Sequence, residues 1–239
     1  MDRKKFIKNG VISLGAIVAL PFAVTSCSKD DGEVSTAAPT DGNENNPNNC
    51  DVSPTETIGP FPIITPAQLA QANIIGNRTG IPLLINITIH DQSNGCKPLA
   101  NVFVDVWQCD RDGNYSQYGG NFLQSTNYTN QNFLRGRQAT DANGKVSFIS
   151  IFPGWYPGRA PHIHVEVLTA NAVSLLVTQI ALTESIYSQV YATNGYNGAP
   201  DRSNTQDSIF SNSLNKNMAD TITGNISDGF TLSKIITVA

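Results

Sequence analysis

Apolar and polar positions alternate with the period of a half-buried strand from Leu83 onward. Leu83, Ile85, Ile87 and Ile89 fall on one face, and Asn86, Thr88 and His90 on the other. Asn94-Gly95 marks a turn, "NVFVDVWQC" (101–109) is the next expected strand, and "RDGN" (111–114) and "DANG" (141–144) are turns. The apolar "KVSFISIF" (145–152) follows, with further strands expected over 163–168, 174–182 and 230–238. "ESIYSQVYA" (184–192) reads as a short helix. "DRDGN" (110–114) begins like a calcium loop, but no bidentate acid follows at the required distance, so a plain turn is expected there. There is no internal repeat and no long amphipathic helix. Short strands separated by Gly, Asn and Pro turns predict an all-β sandwich or barrel.

The N-terminus follows a different pattern. "MDRKKFIKN" is basic, and the uncharged apolar run 10–26 ends in "VTSC". That ending resembles a lipobox, with Cys27 as the lipidated residue. A membrane span is disfavoured, because Pro21, Thr25 and Ser26 interrupt a run already short of the roughly 20 apolar residues required. Arg3 to Lys8 also resembles a variant twin-arginine signal, alongside the ordinary secretory route. Residues 28–49 contain no aromatic and almost nothing apolar, so burial cannot offset their conformational entropy. The expected organisation is a lipoprotein signal peptide over 1–26, a lipidated Cys27 with a disordered tether over 27–49, and a globular domain over 50–239. The expected location is the outer membrane or cell surface, with the lipid as membrane anchor.

Composition narrows the domain's chemistry. The 239 residues carry a formal net charge of -4 with no Lys/Arg run beyond the N-terminus, which excludes a nucleic-acid surface. Cys50, Cys96 and Cys109 remain after Cys27, and an odd count leaves at least one without an intrachain partner. An exported chain permits disulfides. Cys96 and Cys109 flank one strand-sized segment and form the expected pair, with buried free thiols as the alternative.

Histidine is scarce, yet two of the three histidines sit one residue apart in "WYPGRAPHIHVEV". Side chains at i and i+2 of a strand share a face at roughly 6.5 to 7 Å between Cα atoms, so His162 and His164 can reach one metal ion. Ile163, Val165 and Val167 then face the opposite way. Two imidazoles do not name the metal. Glu166, in phase with both, offers a 2-His-1-carboxylate iron site, whereas Tyr156 offers a hard phenolate donor suited to ferric iron.

Three stretches, "SPTETIGPF" (53–61), "VFVDVWQCDRDGNYSQY" (102–118) and "FLRGRQATDANGKVSFISIFPGWYPGRAPHIHV" (133–165), together resemble the intradiol ring-cleavage dioxygenases. The resemblance implies a β-sandwich of mostly antiparallel strands with short helical or loop insertions. It implies a non-haem Fe(III) held by Tyr115, Tyr156, His162 and His164, with Arg159 and Gln179 stabilising charge on the ring. The implied reaction opens a catechol-type small molecule with O2 to a muconate-type diacid, Tyr156 taking part as a ligand that leaves when substrate binds. Only "PGRAP" separates Tyr156 from His162, shorter than in better-known members, so substrate preference does not carry over. This shorter loop and the leader resemble the extracellular subgroup. Two other readings stand beside this one: an oxygenase using Glu166, and a surface module that captures catecholates without turnover.

Overall fold

The computed structural model describes residues 50–239, so the expectations for the signal peptide, Cys27 and the tether lie outside the described residues. Among the described residues, nine strands form two sheets. In chain order they are β1 (Pro82–Asp91), β2 (Lys97–Pro98), β3 (Phe103–Trp107), β4 (Arg135–Ala139), β5 (Lys145–Ile151), β6 (His162–Leu168), β7 (Ser174–Ala181), β8 (Thr221–Asn225) and β9 (Gly229–Val238). One eight-residue helix, α1 (Glu184–Tyr191), follows β7 where the sequence predicts it.

The first sheet is built on β1. Its alternation is the expected one: Leu83, Ile85, Ile87 and Ile89 are all buried. β1 runs parallel to β9 and antiparallel to β5 and β2, with β8 outside β9. The second sheet has the order β4-β3-β6-β7 and is antiparallel throughout. Val104 and Val106 of β3 and Ile163, Val165 and Val167 of β6 pack with the β1 face in one apolar core. The fold is therefore the expected all-β sandwich, with β1/β9 as its parallel strand pair. Among the described residues, no helix is long and apolar enough to cross a membrane.

Strand β4, "RGRQA", has no apolar alternation and is not foreseen by the pattern. It forms because Arg135 and Arg137 are both buried on the outer face of the second sheet. Gly136 faces the other way, and a Cβ there would meet Ile74 Cγ2 at 2.5 Å. The exposed strand β8 is likewise missed, since it contributes little to the core.

The cysteine pairing differs from expectation. Cys50 is bonded to Cys96, with Cα atoms 5.7 Å apart, and Cys109 is a buried free thiol. Cys96 lies in the turn between β1 and β2 of the first sheet, whereas Cys109 follows β3 of the second. The five residues of β3 alone extend roughly 17 Å, far beyond a disulfide's Cα reach of about 7 Å. Flanking a strand therefore separates these two cysteines. Cys50 reaches Cys96 because the N-terminal segment lies along the end of β9, with Ser53 N–H donating to Thr237 O at 3.0 Å.

Non-reducing peptide mapping should recover Cys50 joined to Cys96, with Cys109 alkylated only after unfolding. Cys96→Ser should lower the unfolding free energy by about 2–4 kcal/mol in denaturant titrations. Cys109 linked to either cysteine would contradict the pairing.

Candidate metal centre

Period-two alternation on β6 sends Ile163, Val165 and Val167 into the sandwich and His162 and His164 to the sheet's outer face. The register then composes the site. Arg135 lies opposite Trp107, Trp107 opposite His164, and His164 opposite Gln179, so one row across four strands carries an arginine, an indole, an imidazole and an amide. The Trp107 and His164 rings stack at 4.8 Å with 2° between their planes. Glu166 belongs to the next row, opposite Asp105, whose carboxylate is paired with Arg137. Among the described residues, no group of three His, Cys, Asp or Glu side chains is placed to hold a metal, so the Glu166 reading gains no support.

His162 Nε2 and His164 Nε2 stand 3.1 Å apart. His162 Nδ1–H donates to Ala160 O at 2.6 Å, which leaves its Nε2 as an unprotonated donor atom for an ion. Tyr115 and Tyr156 close the cluster, their ring centroids 5.7 Å apart. Tyr115 lies 6.1 Å from the His164 ring and Tyr156 5.5 Å from that of His162. All four expected ligands are thus brought together.

Two stitched turns deliver the tyrosines. Gly154 N–H donates to Asp110 O at 3.0 Å, joining the turn of Tyr156 to that of Tyr115. Gly113 sits between them at φ +86°, where a Cβ would lie 2.2 Å from Trp155 O. Asp110 itself accepts the Asp112 and Asn114 N–H groups and pairs with Arg78, the work of a turn. Gln124 clamps Tyr115 from the far side, accepting its N–H at 2.6 Å and donating to its carbonyl at 2.8 Å.

The cluster's polar atoms fit a bound cation. Tyr115 Oη is buried without a hydrogen-bond partner, a costly state unless something else satisfies it. Burial pushes the Tyr115 phenol well above its ordinary range and the Tyr156 phenol upward. It pulls the His162 imidazole from the ordinary 6.5 down to about 3 and holds His164 well below its ordinary range, with Arg159 adding to both histidine shifts. Two neutral imidazoles and two hard phenol oxygens gathered in a buried cluster form a donor set suited to iron.

Arg159 is the second feature. Its Nε donates to Asp207 Oδ2 at 2.8 Å and its Nη2 to Gln179 Oε1 at 2.6 Å. Nη1 lies 3.4 Å from both Tyr156 Oη and His162 Nε2. Gln179 Nε2 donates in turn to Thr57 O at 2.8 Å. Both expected charge-stabilising residues are therefore present and held. Asp207 is missed by sequence reading: it lies far along the chain in a polar loop, and a lone Asp there carries no signal. Thr57 and Gly59 fall within "SPTETIGPF" with no role legible. Gly59, at φ +76°, lies so close to His164 that a Cβ would meet Cε1 at 2.8 Å.

A third feature is unforeseen. Arg135 is fully buried without a carboxylate: Nη1 donates to Phe61 O at 2.9 Å, Nη2 to Ser116 O at 2.7 Å and Nε to Ser116 Oγ at 2.9 Å. Its guanidinium carbon is 5.7 Å from the Tyr115 ring. Burial lowers its own pKa to about 10, so it stays charged at neutral pH.

Comparison with known proteins bears on this arrangement. A family model described as "Dioxygenase" matches residues 63–191. The protocatechuate 3,4-dioxygenase beta chain of Burkholderia cepacia is 34% identical over 116 residues, covering 45% of this chain and 48% of the relative. The match thus spans about half the relative's length. An intradiol ring-cleavage dioxygenase from Tetranychus urticae superposes with a TM-score of 0.70 at 30% identity, over 79% of this chain and 95% of that one. The 3-chlorocatechol 1,2-dioxygenase of Rhodococcus opacus shares the fold, with a TM-score of 0.55 at 21% identity over 78% of this chain and 72% of that one.

The depressed His162 pKa sets a pH dependence for the metal-free protein. Between about pH 6.5 and about pH 3 the unfolded chain binds a proton that folded His162 refuses. Stability from this group is therefore full above about 6.5 and is lost as pH falls through that window. Urea midpoints of the metal-free protein should drop with acidification there, and His162→Asn should flatten the slope.

Proposed function

The chain belongs to the intradiol ring-cleavage dioxygenases, and from that premise we propose that it is a non-haem iron(III) dioxygenase that opens a catechol-type ring with O2 to a muconate-type diacid. The observation that carries this reading is the buried, partnerless Tyr115 Oη beside two facing imidazole Nε2 atoms and Tyr156. Tyr115, Tyr156, His162 and His164 would hold the iron. Ferric iron, when bound, supplies a Lewis acid that withdraws electron density from catechol oxygens.

The chain's own groups do the rest. Of the two tyrosines, Tyr156 borders an open cavity, so its oxygen, a phenolate only when it holds the iron, would take the proton of an entering catechol hydroxyl. Arg159 borders the same cavity and presents a fixed cation to a ring lying there. Its orientation is set in advance, because Asp207 and Gln179 hold two of its nitrogens and Thr57 O holds the Gln179 amide. Stabilisation of anionic character on the ring then needs no reorganisation at the moment of reaction. Phe61 packs on both rings, stacked on Tyr115 at 4.7 Å and edge-on to Tyr156 at 5.9 Å.

We also infer that Cys27 is lipidated and anchors the domain at the outer membrane or cell surface. The sole lipobox-like ending, "VTSC", supports this. Cys27→Ser should release the protein from membranes or block its processing, as seen by fractionation and mass analysis of the N-terminus. Unchanged membrane partitioning without an acylated cysteine would sink this reading.

For the chemistry, purified protein should bind iron with a visible phenolate-to-metal band that Tyr115→Phe or Tyr156→Phe shifts or bleaches. Arg159→Ala should retain iron and colour while slowing ring cleavage on the order of 10² to 10³. Anaerobic addition of catechol followed by labelled O2 should place label in a ring-opened diacid. A spectral response to catechols with no product on admitting oxygen would mark a capture module instead.

A further inference from the structure

The cavity that borders Tyr156 and Arg159 has a volume of about 320 Å³ and is lined further by Gly59, Pro60, Pro157 and Ile209. That volume is at the small end of ligand sites, which run from about 300 to 1,000 Å³, and suits a single ring. Its charges limit which ring.

Arg159 is the one basic residue in the lining, and it is already committed. Asp207 pairs with it at 2.8 Å and Gln179 takes a second nitrogen, which leaves only Nη1, 3.4 Å from Tyr156 Oη and His162 Nε2 and so directed at the candidate centre rather than at a substituent on the far side of the ring. Gly158, also on the lining, donates its N–H to the exposed Asp201 carboxylate at 3.0 Å, which places a negative group at the cavity's edge. Arg202, next along the chain, is exposed and does not line the cavity. A carboxylate attached to a bound ring would give up its hydration, find no free cation and face the Asp201 charge. An uncharged substituent would instead pack on Pro60 and Ile209 at no such cost.

We propose that this protein selects catechols bearing no anionic substituent and discriminates against ring carboxylates such as protocatechuate, the compound in the name of its B. cepacia relative. The inference rests on the dioxygenase reading. It goes beyond it by assigning the discrimination to the commitment of Arg159 and to the apolar wall at Ile209.

The iron-loaded full chain is titrated anaerobically with catechol, 4-methylcatechol and protocatechuate while the visible band is followed, and kcat/KM is then measured for each in air. Both neutral compounds should bind more tightly and turn over with kcat/KM at least about tenfold above protocatechuate, the size expected of one unpaired charge in a partly solvated site. Ile209→Arg should shift the ratio toward protocatechuate by about tenfold. Ile209→Gln, of similar size without charge, should not. Equal or tighter binding of protocatechuate by the unaltered protein overturns the proposal, as does a ratio that moves equally in the Arg and Gln variants. If no catechol of either charge perturbs the band or is opened, the dioxygenase reading fails and this inference falls with it.

Discussion

The alternation of side chains along β6 is the constraint on which both the core and the candidate centre depend. One face of its seven residues supplies Ile163, Val165 and Val167 to the interior, and the other supplies His162 and His164 to the candidate centre. A slip of one residue would exchange the two sets, burying imidazoles between the sheets and exposing three branched apolar side chains. The register is held from both sides, by β3 through the Trp107–His164 pair and by β7 through the His164–Gln179 pair. The strand's irregularity falls at Val167/Leu168, the end away from the histidines. Fold and site are therefore specified by the same hydrogen-bond ladder.

Burial gives that arrangement an electrostatic character of its own. Arg159 is neutralised by Asp207, whose side chain also accepts the Ala160 and Ile209 N–H groups and is fully enclosed. Arg135 has only carbonyl and hydroxyl partners. The cluster thus contains one cation without a matching anion, 5.7 Å from the Tyr115 ring. Burial, with the Cys109 and Tyr156 groups, opposes a phenolate at Tyr115, whereas the Arg159 and Arg135 charges favour it. The uncompensated charge beside Tyr115 is therefore positive.

How much of this was legible depended on whether the signal was local. The strands β1 and β6 follow from period-two alternation and β5 from an apolar stretch after a turn, and all four expected ligands meet because they lie in two turns and one strand that the sheet brings together. Asp207 was invisible because it acts across 48 residues from Arg159 in a loop without periodicity. Arg135 was hidden for a related reason: "RGRQA" looks like a solvated segment until the sheet's outer face is covered by Phe61 and Tyr115. The disulfide was misassigned because separation in sequence is a poor guide to distance when the intervening residues are extended. Only the path of the N-terminal segment shows that Cys50, not Cys109, reaches Cys96.

That N-terminal segment ties the site to the chemistry of its compartment. From the Cys50–Cys96 bond it runs along β9 through Ser53, and Glu56 N–H then meets Val177 O on β7 at 2.9 Å. It goes on to offer the Thr57 carbonyl to Gln179, lay Gly59 against His164 and give the Phe61 carbonyl to Arg135. Three of the contacts that orient the candidate centre thus come from a dozen residues with no strand of their own and a covalent bond at their outer end. A disulfide persists in oxidising compartments and is rare in the cytosol, so the tie holds best in an oxidising setting. The expected leader and the observed Cys50–Cys96 pair are independent features, one in the first residues and one at the edge of the folded domain. The exported, lipid-anchored chain proposed above would supply such a setting, with this segment locked before the site is used.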